Sequence, residues 1–362
     1  MNGSSDLVLS GTELRALVPK FVVYTVQGTL IAALNLFTFA SIWRYQMLWK
    51  GHKEYIVVSA LAFMDGLNGL ACLFAGVARN WMIYTGTANK LTSGLGCLLT
   101  PWNLIWILWE HCYGASLAMV SADRLIMLCW PLEYLSWGWQ YAVLLICGFH
   151  LPFCTLMLVP VCMLFLRGQT ADKPAICYTD WVYPSTTYYH LNHSQSVFMA
   201  CLSVALYLAV VLKYRQRQKH KVAPKAGTKG AKAAMQRQIK LTVTLGLSCL
   251  CTFVFYICPL IVKQVLMLFD RSNQMGNLII PYVYLVQNCN ALCNFWLYVR
   301  RHKDLRKAAR CFLLCKDLNL TERDLNSKVT PNPRASNRTA KTSPAPSCSN
   351  FRRQNTRNRC DN

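Results

Sequence analysis

Seven apolar segments long enough to cross a bilayer constrain the fold of this chain more than any other feature. They span residues 21–42, 55–77, 97–128, 139–166, 196–212, 239–269 and 276–299. Charged residues make up only 15% of the chain, whereas a soluble domain carries roughly 25%. The sequence therefore predicts an all-α membrane protein, a seven-transmembrane helix bundle.

The net charge of +23 indicates how this bundle is oriented. Lys and Arg are concentrated in the loops after the first and fifth segments and in the chain after the seventh, which the positive-inside rule places in the cytosol. Because the charge follows membrane topology, nucleic-acid binding is disfavoured. The sequence predicts a multi-pass plasma-membrane protein with an extracellular N-terminus and a cytosolic C-terminus.

The predicted parts of the chain follow from this orientation. They are an extracellular tail (1–20), the bundle (21–299) with a long extracellular loop (167–195) and a basic cytosolic loop (213–238), an amphipathic surface helix (300–315) and a disordered cytosolic tail (316–362).

The end of the third segment carries the most informative motif. Asp123 and Arg124 close an apolar run, and Pro131 stops the helix shortly afterwards. Charge is tolerated at the membrane–water boundary better than in the hydrocarbon core. With Tyr134, this order resembles the Asp-Arg-Tyr…Pro-Leu-x-Tyr signature of rhodopsin-like G-protein-coupled receptors, with Leu125 in place of the first tyrosine.

Other segments extend this resemblance. Asp65 matches the acid that the family carries in its second helix, and residues 290–298 look like its seventh-helix motif Asn-Pro-x-x-Tyr, with Phe295 in place of the proline. In the sixth segment Pro259 is expected to weaken the helix and give it a place to bend. The resemblance implies that activation and G-protein coupling involve Asp65, Asp123, Arg124, Tyr207, Phe253, Pro259, Asn290, Asn294 and Tyr298.

Departures from the family pattern narrow the kind of receptor. Trp106 stands where amine receptors carry an aspartate, and Asn288 stands where opsins carry the retinal lysine, so neither class is favoured and no cofactor is expected. Tyr113 occupies a small-residue position of the family's sodium pocket, which argues against a sodium site. Ile239 and its basic neighbours offer no acid to hold Arg124. The pattern is similar to divergent chemosensory receptors of the invertebrate (nematode) serpentine type.

One face of the third segment supplies candidate ligand-binding residues. Glu110 lies on that face about 21 Å along the helix axis from Arg124, toward the outer half of the membrane. An ionisable group there is costly unless it is paired or hydrated, so Glu110 could contact a ligand, pair with another helix or transfer a proton. Lys263 is a plausible partner, but it could equally extend to the surface. The candidate set is Trp106, Glu110, Tyr113, Tyr256, Lys263 and Gln287.

Asp65 is the only charged residue inside the second segment. A buried carboxylate needs hydrogen-bond donors. The sequence predicts that Asn290 and Asn294 of the seventh segment supply them.

Two cysteines lie outside the membrane on the oxidising side of this topology, Cys97 and Cys177. A disulfide between them, tying the long loop to the third helix, is the economical interpretation. Most other cysteines lie inside apolar segments, where they act as small hydrophobic residues, and no metal site is expected.

Two kinds of modification are predicted from position alone, glycosylation and palmitoylation. Sequons at Asn2 and Asn192 fall on the extracellular side and predict glycosylation. Cys311 and Cys315 follow the surface helix and could be palmitoylated or remain free thiols.

The sequence as a whole predicts a cell-surface receptor whose extracellular ligand, a chemosensory small molecule or a neuropeptide, binds in the outer half of the bundle. A heterotrimeric G protein would meet the cytosolic face, arrestin the cytosolic tail, and membrane lipids the basic segments. The main alternative is a secondary transporter or proton-translocating bundle that uses Asp65, Glu110 and Lys263, although no inverted repeat is visible. Motifs of intramembrane hydrolases are absent, so an enzyme is not expected.

Overall fold

Seven long helices and one short helix make up most of the chain that the structure describes. The computed structural model describes residues 10–51, 53–166, 171–179, 182–183, 185–220, 247, 250–269 and 274–315. The helices are α1 (Gly11–Arg44), α2 (Glu54–Tyr84), α3 (Pro101–Cys129), α4 (Trp139–Leu166), α5 (Thr186–His220), α6 (Cys258–Phe269), α7 (Gln274–Arg301) and the short α8 (Lys303–Leu313). Helical turns also lie at Gln46–Gly51, Gly94–Leu98 and Pro131–Ser136, and a π-helix, Phe253–Ile257, precedes α6.

Five of the described helices, α1 to α5, are long and apolar enough to cross a membrane by length and composition. A shorter apolar helix runs over Leu250–Leu266, and α7 falls in the seventh predicted segment. Each apolar segment of the sequence thus contains a helix in its predicted place. The predicted all-α membrane bundle is confirmed.

One helix boundary that differs from the prediction is the start of α5, which begins at Thr186 and not at residue 196. The last part of the predicted outer loop is therefore helical. Hydropathy does not detect these turns because their polar side chains bond to α3. The Tyr188 hydroxyl lies 3.3 Å from Nε2 of His111, and Gln195 Nε2 donates to the backbone carbonyl of His111 at 3.5 Å.

Two further boundaries also differ from the prediction. α1 begins at Gly11, well before residue 21, because a capping box starts it: the Glu13 N–H donates to Ser10 Oγ at 3.2 Å, and the Ser10 N–H donates to Glu13 Oε2 at 2.8 Å. α5 continues to His220, so the first part of the predicted loop 213–238 is helical. The rest of that loop lies outside the described residues.

A two-stranded antiparallel sheet, which the sequence did not predict, joins the segment before α3 to the loop after α4. β1 (Leu91–Ser93) pairs with β2 (Ala171–Pro174). Just beyond β2, Cys177 forms a disulfide with Cys97, the pair expected from the sequence. Backbone hydrogen bonds and a covalent bond therefore hold the loop at the beginning of α3.

The contact between α1 and α2 is the most extensive helix–helix contact among the described residues. Glycines permit it, since a Cβ added at Gly28 would lie 2.6 Å from the backbone nitrogen of Leu73, and a Cβ at Gly69 would overlap the backbone of Ala32. In a bilayer, where lipid tails are as apolar as side chains, small residues let helix backbones approach and gain van der Waals contact. The α1–α2 pair therefore depends on these glycines.

Gly69→Ala should destabilise the folded protein, because the new Cβ meets the rigid backbone of Ala32; overpacking of this kind costs about 1–3 kcal/mol. Gly148→Ala on α4 is the matched control, since a Cβ there meets nothing within 4 Å and alanine favours the helix by about 1 kcal/mol. Thermal unfolding in detergent should give a lower midpoint for Gly69→Ala and an equal or higher midpoint for Gly148→Ala. A Gly69→Ala midpoint equal to that of the wild type would contradict the close approach.

Candidate functional site

Glu110 on α3 and Lys263 on α6 form a buried ion pair toward the end of the bundle that carries the disulfide, called here the disulfide end. Glu110 Oε1 lies 3.5 Å from Lys263 Nζ, and the two side chains are 11% and 1% exposed. The Tyr183 hydroxyl donates to Glu110 Oε2 at 2.6 Å. The Tyr284 hydroxyl lies 3.3 Å from Glu110 Oε1 and accepts a hydrogen bond from Lys263. These four residues are the ion-pair cluster, and in it Lys263 turns to Glu110, not to the surface.

The first turns of α5 complete the surroundings of the ion-pair cluster. Asn192 Nδ2 donates to the Tyr183 hydroxyl at 2.9 Å, and His193 interacts electrostatically with Glu110 and Lys263. Asn192 and His193 are only 4% and 3% exposed. The predicted glycosylation of Asn192 is therefore wrong for this fold, because a glycan needs an exposed asparagine at the surface. The sequence placed Asn192 in a loop, whereas it lies on α5 and faces the interior.

Trp106 extends the polar interior from the ion-pair cluster toward α2. Its ring stacks on Tyr284, with centroids 6.2 Å apart at an angle of 18°, and its Nε1 donates to Asn68 Oδ1 at 3.2 Å. Asn68 Nδ2 donates in turn to Asn288 Oδ1 at 2.7 Å. Gln287, the neighbour of Asn288 on α7, is also buried. Of the predicted ligand-binding residues, Trp106 therefore contacts the cluster through Tyr284.

Nothing in the sequence singled out Arg79, which holds the outer loop in place. Its buried guanidinium donates to the backbone carbonyls of Ile176 at 3.0 Å and Cys177 at 2.7 Å. The same group lies 5.4 Å from the ring centroid of Trp106 and 5.0 Å from that of Tyr178, distances typical of cation–π contact. Arg79 thus connects the disulfide-linked loop to the ring that stacks on the ion-pair cluster.

A second buried group lies deeper in the bundle, around Asp65. The Asp65 carboxylate interacts with the Tyr113 hydroxyl and with Asn294, and Asn290 Nδ2 donates to the Tyr113 hydroxyl at 2.9 Å. Asn294 thus lies beside Asp65 and Asn290 reaches it through Tyr113, but neither Asp65 oxygen has a hydrogen-bond partner among the described residues, so the donor role of the two asparagines stays a prediction. The Tyr113 ring also packs against Tyr256, with centroids 4.8 Å apart. Tyr113, predicted as a ligand-binding residue, therefore belongs to the Asp65 group and not to the ion-pair cluster.

At the opposite end of α3, called the arginine end, Arg124 is buried and paired with two acids. Its Nη1 lies 3.3 Å from Glu54 Oε2, and its Nε lies 3.6 Å from Asp123 Oδ2. The Tyr134 hydroxyl donates to Asp123 Oδ1 at 3.1 Å. The sequence offered no acid near residue 239 to hold Arg124, and the structure supplies one from α2. Glu54 was visible at the start of the second segment, but its pairing depends on the register between two helices.

A cavity lies beside Arg124 at the arginine end. Its walls include Tyr207 on α5, Thr252 before the π-helix, and Asn294 and Tyr298 on α7. Asn294 is therefore shared between this cavity and the Asp65 group. Tyr207, Asn294 and Tyr298, which the family resemblance associated with activation, therefore line the same cavity as Arg124.

Phe253, also associated with activation, does not face the interior of the bundle. It begins the π-helix, and its side chain is 46% exposed on the outer surface. A π-helix adds a residue to the turn and changes which side chains point inward. The distortion lies directly before Pro259, whose ring conflicts with the carbonyl four residues earlier. The helix is thus irregular where a weak point was predicted, and the association of Phe253 with activation stays a prediction for a residue on the surface of the bundle.

The remaining predicted sites are modifications. Cys311 lies on α8 and is partly buried, and Cys315 follows it and is exposed; both are free thiols. Either palmitoylation or a free thiol is compatible with these positions. Asn2 and the predicted tail 316–362 lie outside the described residues.

A bundle of apolar helices with a buried arginine at one end of α3, a cavity beside it and a buried polar cluster toward the other end has the architecture of a seven-transmembrane receptor. The family model described as serpentine type 7TM GPCR chemoreceptor Srsx matches residues 101–313, more than half of the chain. The chain belongs to this family of serpentine chemoreceptors. Comparison with curated proteins gives no match.

Family membership confirms the predicted resemblance to divergent G-protein-coupled receptors of the serpentine chemosensory type. The protein is a multi-pass membrane receptor with a chemosensory role, and the family is one of receptors, not of enzymes. A ligand and a G protein are the partners that membership implies in general. The match covers α3 to α8 and so includes both the ion-pair cluster and Arg124.

Glu110→Gln should lower the free energy of unfolding by about 3–5 kcal/mol, because removing one member of a buried ion pair leaves the other charge uncompensated. Adding Lys263→Gln should recover much of this loss, since no buried charge then remains in the cluster. Unfolding midpoints of the wild type, both single variants and the double variant form the thermodynamic cycle. Additive effects of the two substitutions would show that the charges are not coupled.

Proposed function

We propose that this chemoreceptor lies in the plasma membrane with its disulfide end outside, binds its ligand at the ion-pair cluster, and activates a heterotrimeric G protein through the cavity beside Arg124. The observation that carries the proposal is the pair of polar centres toward the two ends of α3. The positive-inside rule supports the orientation, because the basic stretches of the sequence follow α5 and α7 at the arginine end. The disulfide at the other end is consistent with an oxidising exterior.

The ion-pair cluster has the features of a binding site for an extracellular ligand. Ion pairs removed from water are often less stabilising than apolar residues of the same volume, so a pair at this depth points to a functional use. The cluster also combines a few converging polar groups with aromatic rings, the usual composition of small-molecule sites. Trp106, stacked on Tyr284, and Gln287 extend it along α3 and α7.

Contiguous contacts connect the two centres through the interior. Tyr256 lies near Glu110 and packs on Tyr113. Tyr113 meets Asp65, and Asp65 meets Asn294, which lines the cavity beside Arg124. Ligand and G protein would each bind more tightly to one arrangement of the bundle. Side chains that connect the ion-pair cluster to the cavity beside Arg124 would therefore couple ligand binding to G-protein binding. Variants in this chain of contacts test the coupling directly.

The remaining surface features fit the same orientation. α8 would lie on the cytosolic membrane surface, where Lys and Arg attract anionic lipid by about 1 kcal/mol each, and Cys311 and Cys315 would carry palmitoyl groups there. Asn2 would be glycosylated outside, and arrestin would bind the cytosolic tail. The transporter alternative gains no support from the family, which is one of receptors.

Arg124→Ala should abolish receptor-dependent nucleotide exchange on G proteins in membranes, measured at matched surface levels. Arg44→Ala is the control, since Arg44 is an exposed basic residue in the last turn of α1 and touches neither acid at the arginine end. The wild type and Arg44→Ala should then behave alike. Exchange that persists in Arg124→Ala would contradict coupling through this cavity.

Glu54→Gln should raise exchange in the absence of ligand, because it removes one of the two acids that keep Arg124 turned toward α2 and α3. A partly exposed pair of this kind contributes about 1 kcal/mol, which corresponds to roughly a fivefold change in the ratio of two states. Glu133→Gln is the matched control, an exposed acid in the turn after α3. Basal exchange that is unchanged in Glu54→Gln would show that this contact does not restrain the resting receptor.

A further inference from the structure

Two buried polar atoms beside the ion-pair cluster have no hydrogen-bond partner among the described residues. They are Oδ1 of Asn192 and Nε2 of His193. Both residues lie on the inward side of α5 and are more than nine-tenths buried. Buried polar groups are almost always satisfied, so two orphans next to one ion pair call for an explanation, and a bound ligand is one.

The existing hydrogen bonds define what these atoms can do. Asn192 uses its amide nitrogen to donate to Tyr183, which leaves its carbonyl oxygen as an acceptor. The ring of His193 bonds the backbone carbonyl of Leu260. That bond requires a proton on the bonding nitrogen, so in the neutral ring the other nitrogen, Nε2, is also an acceptor. Together with the Glu110 carboxylate, the site presents three acceptors, which suits a group with several donors, such as a primary ammonium.

The charge of Glu110 is already balanced by Lys263, and this limits the ligand further. A ligand with only an ammonium would displace Lys263 and leave it buried without a counter-charge. A ligand with only a carboxylate would do the same to Glu110. Either outcome carries the large penalty of an uncompensated buried charge. A ligand that brings both charges can pair with Glu110 through its ammonium and with Lys263 through its carboxylate.

We infer that the ligand of this receptor is a small zwitterion of the α-amino-acid type with an apolar side chain. Its ammonium lies between Glu110, Asn192 Oδ1 and His193 Nε2, and its carboxylate meets Lys263. The apolar side chain follows from the rings that border the pair: Lys263 Nζ lies 5.5 Å from the ring centroid of Tyr189, and Trp106 stacks on Tyr284. This inference rests on the proposed function, since it takes the ion-pair cluster as the ligand site.

The test is a thermal-unfolding screen of the purified full-length receptor in lipid nanodiscs. The probes are L-phenylalanine, L-leucine and L-alanine, together with their methyl esters, which keep only the ammonium, and their N-acetyl forms, which keep only the carboxylate. A ligand that binds the folded state raises the unfolding midpoint. The expected result is a rise of several degrees with at least one free amino acid and none with its ester or N-acetyl form.

Variants assign the effect to the site. Asn192→Leu removes one acceptor together with the bond to Tyr183, and His193→Phe removes one acceptor together with the bond to Leu260, while both keep Glu110 and Lys263. Each variant should raise the amino-acid concentration needed for half of the maximal midpoint shift at least tenfold. The Glu110→Gln, Lys263→Gln double variant leaves no buried charge unpaired and should abolish the midpoint shift. His150→Phe is the matched control, because His150 bonds Ser116 between α4 and α3 and touches none of these groups; its midpoint shift should match that of the wild type.

Two outcomes overturn the inference: an ester or N-acetyl form that stabilises the receptor as well as the free amino acid, or no stabilisation by L-phenylalanine, L-leucine or L-alanine. The nucleotide-exchange assay distinguishes failure of the proposed function from failure of this inference. Arg124-dependent nucleotide exchange without amino-acid binding would overturn the ligand class alone. Amino-acid binding without exchange on any G protein would support the ligand class and overturn the coupling.

Discussion

The ion pair between Glu110 and Lys263 is the interaction on which the disulfide end of this bundle depends. Removed from water, neither charge is tolerated without the other, and the Tyr183 and Tyr284 hydroxyls supply the remaining hydrogen bonds. Lys263 belongs to α6, Tyr284 to α7, and Tyr183 to the loop before α5. Satisfying one carboxylate on α3 therefore brings three other parts of the chain to the same place.

The bundle and several of its key residues could be predicted from the sequence because they follow from local rules. Apolar length alone locates the helices, and an ionisable residue inside such a segment marks Asp65 and Glu110 as exceptional. Local rules do not predict how one helix is rotated and shifted along its axis relative to its neighbour. Glu54 was visible as an acid, yet its contact with Arg124 exists only because α2 and α3 pack in one particular register.

The start of α5 and the position of Phe253 show two different limits of sequence reasoning. Hydropathy measures affinity for lipid, so it began the fifth segment only at Ser196 and left Asn192 in the loop, although Asn192 lies on α5 and bonds to the interior. At Phe253 and Pro259 the family resemblance is a match of residue types in their order along the chain. The π-helix changes the direction in which Phe253 points without changing that order. Sequence position and helical phase are independent properties at such an irregularity.

The π-helix also explains how a change in the pairing of Glu110 and Lys263 would alter the structure at the arginine end of the bundle. Lys263 lies on α6 beyond Pro259, whereas Thr252, on the other side of the π-helix, lines the cavity beside Arg124. A helix interrupted between these two residues has fewer regular hydrogen bonds to resist bending there than an uninterrupted one. Glu110 and Arg124, by contrast, share the regular helix α3, which packs against α2, α4 and α5 and provides a fixed reference. A ligand that took over the pairing of Lys263 would thus act on the more deformable of the two helices, and the wall of the cavity would move relative to the arginine.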